Sequence, residues 1–223
     1  HSSQAIDWYN QKFSSVLSEI NDHFNKFRIS DALMAVYKLI WDDFCSVFLE
    51  IVKPNYGESI DSKTFEQIVS IFEKNLIIIH PFMPFISEEI WHLIEKRSKE
   101  NAIIIAEWPS STNSKDKDLI QDFESLLKVI SGIRNFRKKH QVSFKDSLEL
   151  SIVNNDNFSA DYDSIISKLC NISSINYSDR EIEQSISFRV NSNIYSIPFH
   201  EELDVNEEII KINNDLNYQK GFL

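Results

Sequence analysis

The chain has 223 residues, 42% of them hydrophobic and 26% charged, with a formal net charge of −11. That length suits one large domain, or a domain with a smaller companion. Only three glycines occur, which nearly excludes a glycine-rich phosphate loop; the longest apolar run, Ala32 to Tyr37, falls far short of the roughly 20 residues of a membrane span, as does Ala102 to Ala106; and the acidity argues against nonspecific binding to nucleic acid or to an anionic membrane.

Residues 4–27 carry apolar side chains at Ile6, Tyr9, Phe13, Val16/Leu17, Ile20, Phe24 and Phe27, steps of three and four that predict one amphipathic helix. Ser30-Asp31 offers the start of a second, with Leu33, Val36/Tyr37, Ile40, Phe44, Val47/Phe48 and Ile51 as its inward stripe and Pro54 and Gly57 as its stop. A third helix is predicted from about Ser62 to Ile79, with Phe65, Ile68, Phe72, Leu76 and Ile79 inward. Then comes HPFMPFISEEIW (80–91). Pro81 disfavours helical geometry at His80 and ends helix three, and Pro84 suits the first turn of helix four. Glu88 and Glu89 fall in an early turn, where the helix dipole favours negative charge. Helix four carries Ile86, Ile90, Trp91 and Ile94 inward to about Arg97; AIIIAEWPSS reads as an extended crossing segment; a fifth helix spans about 116–139.

Beyond Lys145 the period changes. SLELSIV (147–153) alternates as a strand, residues 161–170 read as a short helix, and NISSINYS, QSISFRV and NIYSIPF read as short strands, the last two joined by an Asn-Ser turn. DVNEEIIKINNDL predicts a final helix entered through Asp204. The fold class is therefore mainly α: a helical bundle over residues 1–140, then a small α+β unit over 141–223. The chain opens on His1 rather than Met, with no signal peptide, and reads as a fragment of a longer protein. Cys45 and Cys170 lack ligand spacing and read as free thiols of a cytosolic protein.

Several constellations invite chemistry. Glu89-x-x-His92 has the spacing used in di-iron bundles, but such centres need a second copy plus two more glutamates, and Glu19 and His23 are four apart. No nucleophile elbow is present. From Ser125 to Lys145 there are six basic residues and no acidic one, more than capping a helix end requires; Arg134, Arg137 and Lys138 are spaced to share one face, a plausible phosphate contact. Lys26 and Arg28 flank Phe27, and an aromatic beside cations can stack on an unpaired RNA base. Trp41, Asp42, Asp43 and Phe44 admit either simple packing or polar contact with bases. Two other readings stay open at this point: a metal- or ligand-binding bundle built on Glu89 and His92, and a helical protein–protein adaptor using the acidic surface of 201–215.

HPFMPFISEEIW together with FRISDALMAVYKLIWDDFCSVFLEIVKP (27–54) resembles the anticodon-binding domain of class I aminoacyl-tRNA synthetases. The Phe-Met-Pro-Phe form, WDDFC, FLEIVKP, SGIRNFRKKHQV (131–142) and the tail LNYQKGFL (216–223) are similar to the valyl branch of that family, in which the tail leads into a C-terminal coiled-coil arm. At 47–48 the chain has Val-Phe where the family often has Trp-Tyr. The His-Ile-Gly-His-like and Lys-Met-Ser-Lys-Ser-like nucleotide signatures, a Rossmann pattern and the editing domain are absent.

The resemblance implies recognition of the valine tRNA anticodon by a cytoplasmic, membrane-free fragment that also contacts the parent's catalytic domain. ATP and Mg would serve that catalytic domain, no cofactor this fragment, and the fragment alone would be inactive. Lys26, Phe27 and Arg28 would meet anticodon bases, with Trp41 and Asp42 nearby, while Arg134, Arg137, Lys138 and Lys139 would hold backbone phosphate. Under this reading His80–Trp91 is scaffold.

Overall fold

A computed structural model describes residues 2–55, 57–98, 100–111, 117–153 and 159–198. The predicted final helix, the acidic segment 201–215 and the tail 216–223 lie outside the described residues.

Helix α1 (Ser2–Asn25) buries Ile6, Tyr9, Phe13, Leu17 and Ile20, the stripe its periodicity predicts. It also buries Trp8, which stacks on Phe123 at 4.5 Å, and it stops before Phe27. Helix α2 (Ile29–Lys38) runs without a break into a π-helical stretch, Leu39–Phe48, and a last α-turn, α3 (Leu49–Val52). Here the predicted inward face is corrected in part. Val36 is buried as expected, together with Ala32, Ala35 and Leu39, while Leu33 and Tyr37 face outward. Two alanines let α2 approach α1 closely, so the smaller stripe goes inside and the bulkier one is left at the surface. The wider π turns then return Phe44, Phe48 and Ile51 to the core.

Helix α4 (Ser62–Ile79) has Asp61 as its N-cap, accepting from the Thr64 N–H at 2.9 Å. Phe65, expected inward, is exposed. His80 keeps helical dihedrals (φ −52, ψ −41) despite preceding a proline. Its ring nitrogen shares a 2.8 Å hydrogen bond with Ser87 Oγ, which also donates to the Met83 carbonyl at 2.7 Å. That bond offsets the steric preference and ties α4 to α5 (Pro84–Ile94), which begins at Pro84 as expected. On α5 only Ser87 is buried; Ile86 is exposed. The segment expected to be extended holds one turn of 3₁₀ helix, Ile103–Ile105, then reaches Trp108, whose indole donates to Asn21 at 3.0 Å.

Helix α6 (Lys117–Lys139) leads into the α+β unit: β1 (Leu148–Val153), α7 (Asp163–Cys170), β2 (Ile172–Tyr177), β3 (Ser185–Val190) and β4 (Asn193–Pro198). The sheet order is β2-β1-β4-β3, with β1 and β2 parallel across the α7 crossover and the other pairs antiparallel. Asn191 takes φ 55 in the β3–β4 turn, which asparagine tolerates. One apolar core runs from Ile6 through Phe123 and Ile133 to Leu150, Ile166 and Tyr195. Gly132 makes that continuity possible: a Cβ there would come within 2.3 Å of the Phe188 ring, which stacks on Tyr195.

Candidate nucleic-acid interface

Lys26, Phe27 and Arg28 form the elbow between α1 and α2. The Phe27 N–H bonds to the Phe24 carbonyl at 3.0 Å and the Arg28 N–H to the His23 carbonyl at 2.8 Å. This is a Schellman motif, and Phe27 occupies the left-handed position that normally takes glycine, at φ 57. A bulky residue pays steric strain there. Packing gives no return for it, because Phe27 is 87% exposed. Its neighbour Phe24 turns the other way, against Phe82 and Trp108. Lys26 is held by Asp22 at 2.7 Å, and Arg28 is exposed. The elbow thus presents an aromatic ring between two cations.

Beside it runs a groove of about 510 Å³ between α1 and α2, lined among others by His23, Asp31, Met34, Lys38 and Asp42. His23 and Asp31, which flank the elbow in sequence, are among the groove's lining residues. Four carboxylates (Glu19, Asp31, Asp42, Asp43) against two lysines (Lys12, Lys38) line it. That balance repels phosphate and suits the amino edge of a base, which donates to carboxylates. On the outer face of the same helical run Trp41 stacks on Tyr37 with centroids 6.3 Å apart, and both are exposed. Asp42 shares the groove with His23 and Asp31, whereas Trp41 lies on the outer face roughly 20 Å along the helical run from Arg28, at about 1.5 Å per residue.

Asp43 sits deeper in this groove, 3.9 Å from Lys12. Burial pushes its carboxyl above the usual aspartate range, outweighing Lys12. A carboxyl raised in the folded state holds more protons there than in the unfolded chain, so its cost to stability is present at neutral pH and is relieved on acidification toward about pH 4. Asp43→Asn should therefore raise stability at pH 7 and shrink the gain on acidification, checked by denaturant unfolding at the two pH values.

The basic run at the end of α6 divides. Arg134, Lys138 and Lys139 are exposed, as a phosphate contact requires. Arg137 departs from that expectation: it is 6% exposed, with Nη1 donating to the Ser143 and Asp146 carbonyls (2.7 and 2.9 Å) and Nη2 to those of Cys170 and Asn171 (2.9 and 3.2 Å). It clasps the α+β unit to the bundle. Its spacing from Arg134 and Lys138 could not reveal this, because the four acceptors are main-chain groups. Arg134 instead joins Lys53, Phe144 and Lys168 around a second groove of about 600 Å³. Lys168 donates to the Ile51 and Lys53 carbonyls at the end of α3. The two sets of cations are not brought together. They lie at opposite ends of the helical run 29–52, which spans roughly 35 Å at about 1.5 Å per residue.

The Glu89–His92 pair does not form. His92 bonds to Glu88 at 2.9 Å, and Glu88 also accepts the Ile103 N–H at 3.1 Å. Among the described residues no group of three or more His, Cys, Asp or Glu is placed to hold a metal ion. Cys45 is exposed, Cys170 buried, and burial pushes the Cys170 thiol up to about 11. Among the described residues no helix is long and apolar enough to cross a membrane.

A family model described as the anticodon-binding domain of tRNA ligase matches residues 7–152. The chain belongs to that family. The match covers the elbow, the first groove and Arg137 itself; it ends inside β1, short of Lys168 in the second groove and of the Cys170 and Asn171 carbonyls that Arg137 holds. Similarity to curated relatives extends further. A valine–tRNA ligase of Christiangramia forsetii is 49% identical over 219 residues, 98% of this chain and 25% of the relative. Those of Porphyromonas gingivalis and Parabacteroides distasonis are 39% and 37% identical, over 100% and 98% of the chain and 25% of each relative. The chain spans about a quarter of the length of the curated relatives it matches. For an anticodon-binding domain, the features that sequence reasoning missed are the Tyr37–Trp41 stack and the second groove. The first was hidden by assigning Tyr37 to the core. The second joins Lys53, Phe144 and Lys168, residues too far apart in sequence to suggest one another.

Proposed function

We propose that this chain recognises the anticodon of valine tRNA as part of a cytoplasmic valine–tRNA ligase, in which ATP- and Mg-dependent attachment of valine takes place on the rest of the polypeptide and not on this part alone. The observation that carries the reading is Phe27. A fold gains nothing from an exposed phenylalanine held in the left-handed region, whereas an RNA reader gains a stacking platform set between Lys26 and Arg28. An unstacked anticodon base would lie on Phe27, with a neighbouring base edge directed into the groove at Asp31 and Asp42 and with Trp41 and Tyr37 alongside. Arg134, Lys138 and Lys139 would hold phosphates at the other end of the helical run. The overall charge of −11 is compatible with this, since only the contact face needs to be basic. Membership of the anticodon-binding family and likeness to valine–tRNA ligases support the assignment.

The phosphate contacts can be tested by salt dependence. In the full ligase, Arg134→Gln and Lys138→Gln should each weaken tRNA binding and flatten the slope of log K against log salt by about 0.7–0.9 per lost contact. An unchanged slope in both variants would remove this end of α6 from the interface.

A further inference from the structure

Away from the elbow, α5 and the turn after it display an apolar face with no cover. Phe85 is 91% exposed, and Leu93, Ile104 and Ile105 are between 69% and 75% exposed, with Met83 and Ile86 about half so. Phe85 and Leu93 stand two turns apart on one side of α5, and residue 86 lies beside them. The turn is pinned in place. Ile103 is buried as its anchor, its N–H bonds to the Glu88 carboxylate, and the Trp91 indole donates to the Asn101 carbonyl at 3.0 Å. Ordered structure is thus used to hold large aliphatic side chains in water, which marks an interaction surface.

We infer that this face is the seam against which the remainder of the same polypeptide packs in the full ligase. The occupant follows from two observations. The chain corresponds to 25% of each relative, so on the ligase reading, upon which this inference rests, three quarters of the protein must sit against it somewhere. The face is also poor in cations: α5 carries Glu88 and Glu89 and no lysine or arginine, and of the two cations just beyond it Lys96 is exposed while Arg97 is held by Glu73 and Glu95. An apolar patch edged by carboxylates fits a protein surface and repels a phosphate backbone.

Phe27 and Phe85 make an internal comparison, being the same residue type with nearly equal exposure in this chain, 87% and 91%. Hydroxyl-radical footprinting of the wild-type full ligase, read residue by residue by mass spectrometry and referenced to the unfolded enzyme, follows both. Without tRNA, in monomeric enzyme, Phe85 should be oxidised at least about fivefold more slowly than Phe27, since packed interfaces exclude water, and adding tRNA should leave Phe85 unchanged. Equal rates would overturn the inference. Protection of Phe85 only on adding tRNA would overturn it in favour of an RNA surface, and protection appearing only with a dimeric mass in favour of a second copy. Phe27 reports separately: its failure to become protected by tRNA would count against the anticodon reading and leave the Phe85 result standing.

Discussion

Arg137→Met is expected to cost about 3–5 kcal/mol of folding stability, several charge-assisted hydrogen bonds of roughly 1.5–3 kcal/mol each being lost together. Methionine fills the volume but supplies no donor, so carbonyls of Ser143, Asp146, Cys170 and Asn171 lose their shared partner. These four groups come from the loop after α6 and from the end of α7, so the loss falls on the seam between bundle and α+β unit. Arg137→Lys should recover little of it. An ammonium is a single point of donation and cannot span two pairs of carbonyls as the planar guanidinium does. Denaturant unfolding of the 223-residue chain measures the loss, and hydrogen exchange at α7 and β1 locates it. A cost below about 1 kcal/mol, the range of an ordinary surface substitution, would show that the clasp is dispensable.

Phe27→Gly should separate function from stability. The left-handed position at φ 57 is one that glycine occupies without penalty, so the steric strain is relieved and partly offset by the flexibility glycine adds to the unfolded chain. The folded state should lose no stability. Binding of tRNA by the full ligase should fall by about 1–3 kcal/mol, roughly 5- to 150-fold, the worth of one base stacked on an aromatic ring. Titration of tRNA against wild type and variant, with thermal unfolding of each, measures both sides. A variant that is less stable and binds as before would make Phe27 a structural residue and remove the central support for the anticodon reading.

Much of the fold is legible in the sequence where one pattern stands alone. Residues 62–79 carry a helical period closed by Pro81, and the helix spans Ser62–Ile79. Residues 147–153 alternate, and β1 spans Leu148–Val153. Legibility fails where two patterns compete. Residues 32–37 and 39–41 are all apolar, so the stripe through residues 33, 37 and 40 and the stripe through 32, 35, 36 and 39 are both helical. Periodicity cannot choose between them; the close approach that alanine allows does. That choice also turned Tyr37 and Trp41 into surface residues. At the candidate site, the elbow residues were legible as an aromatic between cations. Their left-handed backbone was not, because phenylalanine carries no local signal for it. Arg137 was misplaced for a different reason: its partners are main-chain carbonyls, which any sequence can provide and no side-chain pattern announces.

The most direct measurement compares affinity of the full ligase for valine tRNA with its affinity for the same tRNA carrying a changed middle anticodon base, in wild type and in Phe27→Gly. If this chain reads the anticodon through the Phe27 elbow and its groove, wild type should discriminate by about 1–3 kcal/mol, as expected for one specifically read base, and the variant should lose most of that discrimination. Equal affinity of wild type for the two tRNAs would contradict it.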